Sequence, residues 1–184
     1  MAENGFFKNI SSQDFSPDAV LDLSAGGRAL ILSDLHMGYG KRDDLAVNGD
    51  LIIGLLEKYY YEQGWYLVLN GDIEELQRYS LDSIVERWER LFRVFSLFAG
   101  KKRLYKLIGN HDEELLLKKS YYYPLYSVIR IDTGVIPVYV YHGHQSSQIY
   151  SNYNKLLGTA IRYVLKPFGI KNISSARNPH RQKG

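Results

Sequence analysis

Residues 106–114, KLIGNHDEE, set a glycine, an amide, an imidazole and a carboxylate side by side directly after a short apolar run. A short apolar run that stops on glycine reads as a buried strand, here residues 103–108, and the polar residues then occupy the loop at its carboxyl end. The same arrangement recurs along the chain. Residues 28–33 (RALILS), expected to form a strand buried on both faces, lead into Asp34-Leu35-His36, and residues 65–69 lead into Asn70-Gly71-Asp72. Residues 127–131 and 135–141 read as a hairpin about Asp132-Thr133-Gly134, and its second arm leads into His142-Gly143-His144. Four of the five histidines fall in these clusters at strand ends.

Helices are expected between the strands. One starts at Asn48-Gly49-Asp50 and ends by Gly64, with Leu51, Leu55 and Tyr59 on its apolar face and Ile52 and Leu56 beside them. A second spans 81–99, carries Ile84, Trp88, Leu91, Phe95 and Phe98 at helical spacing, and stops at Gly100. Strands alternating with helices of this length predict a parallel sheet. Residues 1–27 carry few periodic signals and read as a lead-in closed by Ala25-Gly26-Gly27. The reading is of one domain over 1–184, with its motifs in 28–144.

Composition narrows the chemistry. The 184 residues are 45% hydrophobic, enough for one packed core, and include no cysteine, which excludes disulfide scaffolds and thiolate metal sites. The N-terminus lacks the pattern of a signal peptide and no run is long enough to span a bilayer, so a soluble, cytoplasmic protein is expected. A net charge of +3, with basic and acidic residues interleaved, makes no case for nucleic acid.

In an open α/β sheet, ligands bind in the crevice beyond the carboxyl ends of the strands, so these polar clusters should converge there. Taken singly, Asp-x-His reads equally as a helix cap beside an exposed histidine, Gly-Asp as a turn, and Gly-Asn-His-Asp as an Asx-stabilised turn. Recurrence at successive strand ends favours one shared site. Imidazole, carboxylate and amide ligands without thiolates suit Mn, Fe, Zn, Co or Mg. A carboxylate such as Asp72 can bridge two ions, and two ions about 3.5–4 Å apart can share a hydroxide and clamp a phosphoryl group for in-line attack. Phosphoester chemistry is therefore the leading class.

In this order Asp34-x-His36, Gly71-Asp72-Ile73-Glu74-Glu75, Gly109-Asn110-His111-Asp112 and His142 resemble the motif series of the calcineurin-like metallophosphoesterase superfamily, over residues 28–144. The resemblance implies an α/β fold in which a β-sandwich is flanked by helices (αββα), with a dinuclear metal centre at the strand ends. By the same resemblance Asp34 and His36 bind the first divalent ion, Asp72 bridges, and Asn110 and His142 bind the second, with manganese the first choice of metal. His111 is then the catalytic imidazole, and Glu75 orients it. The plainer alternative for Glu75 is a solvated residue in a helix's first turn. His144 and Asp112 are assigned to substrate contact or to support behind the ligands.

The stretches LNGDIEEL, IGNHDEEL, YHGHQ and IRYVLKPF are most similar to bacterial calcineurin-like phosphoesterases and, more distantly, to UDP-2,3-diacylglucosamine pyrophosphatases, which commonly carry arginine where this chain has His111. Phosphoprotein phosphatases of the superfamily grip phosphate with arginines at the positions of Leu76 and Ile108. An aliphatic side chain cannot replace a bidentate guanidinium, so a small or lipid-linked phosphoester is the expected substrate rather than a phosphoprotein. The superfamily's closing Gly-His-x-His is absent: Gly143-His144-Gln145-Ser146 lacks the second histidine and His180 lacks the glycine. The expectation is of a fold incomplete at its C-terminus, with the strands bearing that motif missing.

Residues 149–165 form an apolar stripe closed by Pro167, expected to be a helix packing on the sheet in preference to a helix lying on a membrane surface. Two competing functions stand beside hydrolysis of a phosphoester or pyrophosphate: a scaffold that binds without catalysis, which the four motifs present speak against and the missing one keeps open, and a nuclease or cyclic-nucleotide phosphodiesterase of the same superfamily. The second has no stripe of alternating aromatic and basic residues behind it.

Overall fold

A computed structural model describes residues 17–39, 43, 45–118 and 121–143. Its strands are β1 (Ala19–Asp22), β2 (Ala29–Leu32), β3 (Tyr66–Asn70), β4 (Leu104–Leu107), β5 (Leu125–Tyr126), β6 (Val128–Asp132) and β7 (Pro137–Tyr141). Its α-helices are α1 (Gly49–Leu55), prolonged by a π-helical stretch over Leu56–Tyr61, then α2 (Leu81–Arg87) and α3 (Glu89–Gly100). A 3-10 turn covers Glu113–Leu117.

The alternation of strand and helix builds a parallel sheet in the order β2-β3-β4-β5. A second sheet has the order β1-β6-β7, in which β6 and β7 are the expected antiparallel hairpin and β1 runs parallel to β6. Val68 and Leu107 of the first sheet meet Leu21, Ile129, Ile131 and Val140 of the second, so this apolar layer lies between the sheets. On the other face of the first sheet, Leu67, Leu69 and Leu104 pack against Ile53, Leu56, Ile84, Leu91, Phe95 and Phe98 of the helices. The molecule is thus a mixed α/β sandwich, with helices, sheet and sheet stacked in that order among the described residues. The helix expected over 149–165 lies outside them.

Several expectations need correction. The lead-in holds β1, whose partner Ile129–Asp132 is more than a hundred residues away, in the register Leu21 to Ile131. Among the described residues β2 is an edge strand, and it is not covered on both faces, since Ile31 is 45% exposed. The face of α1 is inverted: Ile53 and Leu56 are buried, whereas Leu51, Leu55 and Tyr59 are exposed. Leu51 to Leu56 is apolar nearly all round, so spacing alone does not choose which side meets α3.

The helix expected over 81–99 breaks at Trp88, where φ is −109° and ψ 23°. The break serves the indole. Its Nε1–H donates to the Gly38 carbonyl (3.1 Å) and to Asp43 Oδ2 (3.0 Å), anchoring the loop that follows β2. The apolar residues anticipated on this segment are all buried, so the break costs the core nothing. No helix among the described residues is long and apolar enough to cross a membrane.

Candidate metal centre

The loops after β2 and β3 extend the parallel pairing of their strands. Asp34 N–H donates to the Gly71 carbonyl (3.1 Å), His36 N–H to the Asp72 carbonyl (3.0 Å) and Met37 N–H to the Ile73 carbonyl (2.8 Å). Glu75 N–H returns to the Met37 carbonyl (3.0 Å). This lacing holds three non-glycine residues in left-handed backbone, with φ of 57° at Asp34, 44° at His36 and 53° at Asp72. Such positions cost of order 1–3 kcal/mol each and persist where surrounding structure enforces them, characteristically at functional sites.

The loop after β4 is tied across to Asp72. The His111 N–H donates to Asp72 Oδ1 (2.8 Å), and Leu76 N–H donates to the His111 carbonyl (3.2 Å). Gly109 lies so close that a Cβ on it would stand 2.1 Å from Asp72 Oδ1 and 2.4 Å from the Asp72 backbone nitrogen. Because backbone cannot yield as a side-chain tip does, Gly109→Ala is expected to lose about 1–3 kcal/mol of stability. It should also push Asp72 out of place. Urea unfolding reads the first effect and Mn²⁺ titration the second; a stable variant with wild-type metal uptake would contradict this packing.

Side chains converge on Asp72. Its Oδ2 stands 3.3 Å from His142 Nε2 and 3.9 Å from His111 Nε2, while Asp34 Oδ1 stands 3.8 Å from His36 Nε2. The donor atoms fall into two groups, His36 with Asp72 and His111, and Asp34 with Asp72 and His142, each within 4.8 Å. Asp72 belongs to both. The His36 and His111 rings meet edge to face, with centroids 4.6 Å apart.

Partners behind the imidazoles fix which nitrogen faces the cluster. A backbone carbonyl only accepts, so the contact of His142 Nδ1 with the Asn70 carbonyl (2.8 Å) makes Nδ1 the donor and turns Nε2 towards Asp72. The contact with Asp72 pushes the His142 imidazole up to about 9, against the opposing effect of burial. Burial disfavours charge on Asp72, but its contacts with His142 and His111 outweigh that and hold its carboxyl below the usual range. Glu75 is buried, with its oxygens 2.9 and 3.0 Å from His111 Nδ1 and Oε2 also 3.3 Å from His36 Nδ1. Burial works against its charge too. Its contacts with His111 and His36 prevail and bring its pKa down to about 2. The Glu75 carboxylate also raises the pKa of His36, again against burial.

The remaining predicted residues are distributed unevenly. Asn110 sits in the same turn as His111, and its carbonyl accepts from Gln77 Nε2 (3.2 Å). Asp112 is fully buried, with Oδ1 accepting from Gly109 N–H (2.6 Å) and Oδ2 from Ile73 N–H (3.0 Å). That environment suits support behind the ligands and not substrate contact. His144 lies outside the described residues.

Sequence reasoning overlooked Gln77, the buried Lys106 and the partly buried Tyr121, and gave no role to Glu74, which is buried beside them. The lysine was detectable, as a charge inside the apolar strand LYKL. The donors fit divalent cations. Three imidazoles present Nε2 to carboxylate oxygens at 3.3–3.9 Å, too long for good hydrogen bonds, in an oxygen and nitrogen set that hard and borderline ions prefer.

Comparison with curated proteins gives no match. The calcineurin-like phosphoesterase family (Metallophos) matches residues 27–181, which takes in both sheets from β2 onward and every strand-end cluster described above. With most of its length matched and its polar loops gathered at one end of the parallel sheet, this chain belongs to the calcineurin-like phosphoesterases.

Proposed function

We propose that the chain hydrolyses a phosphoester or pyrophosphate bond using two divalent cations, manganese first among them. Asp34, His36, Asp72, Asn110 and His142 would hold the pair. One observation carries this reading: Asp72, buried and fixed by the His111 amide, is common to both groups of donor atoms. When bound, the ions supply an activated water and neutralise charge on the phosphoryl group.

The chain's own contribution centres on His111. Glu75 binds Nδ1 with both oxygens, which orients the ring and leaves Nε2 directed to the cluster. An imidazole so held is suited to give its Nε2 proton to the leaving alkoxide, and the ionised Glu75 beside it would stabilise the imidazolium. Leu76 and Ile108 are buried in the core, so neither position offers a phosphate grip. This supports a small phosphoester or pyrophosphate as substrate in preference to a phosphoprotein.

The test is hydrolysis of bis-p-nitrophenyl phosphate by the full chain with Mn²⁺, before and after chelation. Activity should vanish with EDTA and return with Mn²⁺, and calorimetry should find two bound equivalents. A folded chain that takes up no Mn²⁺ and releases no nitrophenolate would overturn the reading in favour of a binding scaffold. Parallel assays with p-nitrophenyl phosphate, a cyclic nucleotide and single-stranded DNA separate the substrate classes.

A further inference from the structure

Alternation along β4 puts Leu104 and Lys106 on the face towards the helices and Tyr105 and Leu107 on the face towards the second sheet. Lys106 therefore stands where an aliphatic core residue would serve, and it is 0% exposed. Its ammonium donates to Asp112 Oδ2 (2.5 Å) and to the Leu107 carbonyl (3.3 Å), and it forms an ion pair with Glu74 Oε2 at 3.0 Å.

Both carboxylates belong to loops that carry candidate metal ligands, Asp112 to that after β4 and Glu74 to that after β3. Asp112 binds the amide of Ile73, next to Asp72, and the amide of Gly109, next to Asn110. Glu74 pairs through its backbone with Met37, next to His36, and its Oε1 accepts from Tyr121 Oη (2.6 Å). One ammonium thus joins the loops after β3 and β4 directly, and the loop after β2 through the backbone pairing of Glu74.

We infer that Lys106 is a positioning residue of the metal centre, holding the Asp112 and Glu74 carboxylates so that the three ligand-bearing loops keep their spacing. The inference rests on the proposed dinuclear site. Without the ammonium, the Asp112 and Glu74 carboxyls would lose the partner they share and face each other across the vacated space. The Ile73 and Gly109 amides would then lose their shared acceptor, and Asp72 its fixed relation to Asn110 and His111. Stability alone does not require a lysine here, because apolar residues often replace buried ion clusters without loss.

The sign of the effect separates positioning from simple electrostatics. Removing a positive charge close to a cation site should by Coulomb's law tighten cation binding. Loss of positioning should weaken it, by about 10–100-fold, the usual result of removing a partner behind a metal ligand.

The experiment measures Mn²⁺ affinity by calorimetry and the electron paramagnetic resonance spectrum of the bound Mn²⁺, on the full-length wild type and Lys106→Met. Leu91→Ala, in the helix-side core, controls for general destabilisation. Expected are weaker Mn²⁺ uptake and an altered spectrum for Lys106→Met, with kcat on bis-p-nitrophenyl phosphate falling more than KM changes, and none of these for the folded Leu91→Ala. If Lys106→Met does not fold, Lys106→Met/Glu74→Gln removes one charge of each sign, so that Coulomb's law predicts little change, and the loss of the donor that joins the two loops should still weaken Mn²⁺ uptake. Unchanged or tighter Mn²⁺ binding in the folded variant would overturn the inference while leaving the proposed function intact. Failure of the wild type itself to bind Mn²⁺ would overturn both.

Discussion

Asp72→Asn is expected to abolish paired Mn²⁺ binding and to lower phosphodiester hydrolysis by more than about 100-fold, beyond the range for losing a mere outer partner of a metal ligand. The substitution keeps the size and shape of the side chain, and its remaining oxygen can still accept the His111 amide that Asp72 Oδ1 binds at 2.8 Å. What changes is the other atom. An NH₂ in place of Oδ2 becomes a donor facing His142 Nε2, 3.3 Å away, and would occupy the lone pair that a cation needs. Because Asp72 belongs to both donor groups, both sites suffer from one change. The variant should remain folded, since the hydrogen bonds between the loops are retained. Asp50→Asn, at a carboxylate 98% exposed on α1, should leave binding and turnover as they are. Calorimetry that found two tight Mn²⁺ equivalents in Asp72→Asn would remove Asp72 as the shared ligand.

The polar residues at the strand ends were legible because each follows an apolar run, and the rule that parallel strands deliver their loops to one edge needs no tertiary detail. Hence Asp34, His36, Asp72, His111 and His142, spread over more than a hundred positions, group together from the sequence alone. β1 was not legible. Four residues, AVLD, carry no pattern of their own and become a strand only through pairing with β6. The two-residue β5, Leu125–Tyr126, is set in the same way, by its pairing to β4 at Lys106 and Leu107.

Helix faces show a different limit of sequence pattern. On α3 the apolar positions are spaced clearly enough to name the buried side, and Leu91, Phe95 and Phe98 are there. On α1 five of the six residues from Leu51 to Leu56 are aliphatic, so the contact with α3, and not periodicity, decides that Ile53 and Leu56 turn inward. The break at Trp88 is a third kind of case. Its cause is a hydrogen bond from the indole to Gly38, fifty residues earlier, and no local propensity encodes that.

The same distinction applies within the site. Glu75, His111 and Asp112 belong to short motifs, but the network that holds them draws on Lys106 from β4, Tyr121 and Gln77, which the motifs do not contain. A lysine in a core strand is the one local irregularity that pointed there. Its meaning depends on Asp112 and Glu74 arriving on separate loops to meet it.

His111→Asn should split two substrate types. An alkyl phosphoester, whose leaving alkoxide needs a proton, is expected to lose about 10²–10⁴-fold in kcat, the range for a positioned general acid. Bis-p-nitrophenyl phosphate, whose phenolate leaves without help, should lose much less. The reason lies in the geometry of the ring: Glu75 engages Nδ1 at 2.9 and 3.0 Å, so Nε2 is the atom that can serve a leaving group, and asparagine has no titratable proton to offer in its place. Mn²⁺ stoichiometry should remain at two, since the proposed ligands are untouched. The structure also offers a rival role, because His111 Nε2 stands 3.9 Å from Asp72 Oδ2 in a donor group with His36. A histidine that served there as a metal ligand would behave differently on replacement: one Mn²⁺ equivalent would be lost, and both substrates would slow by the same factor. Measuring stoichiometry and both rates on a single preparation decides between the acid and the ligand, and equal losses on the two substrates would take the proton-donor role away from His111.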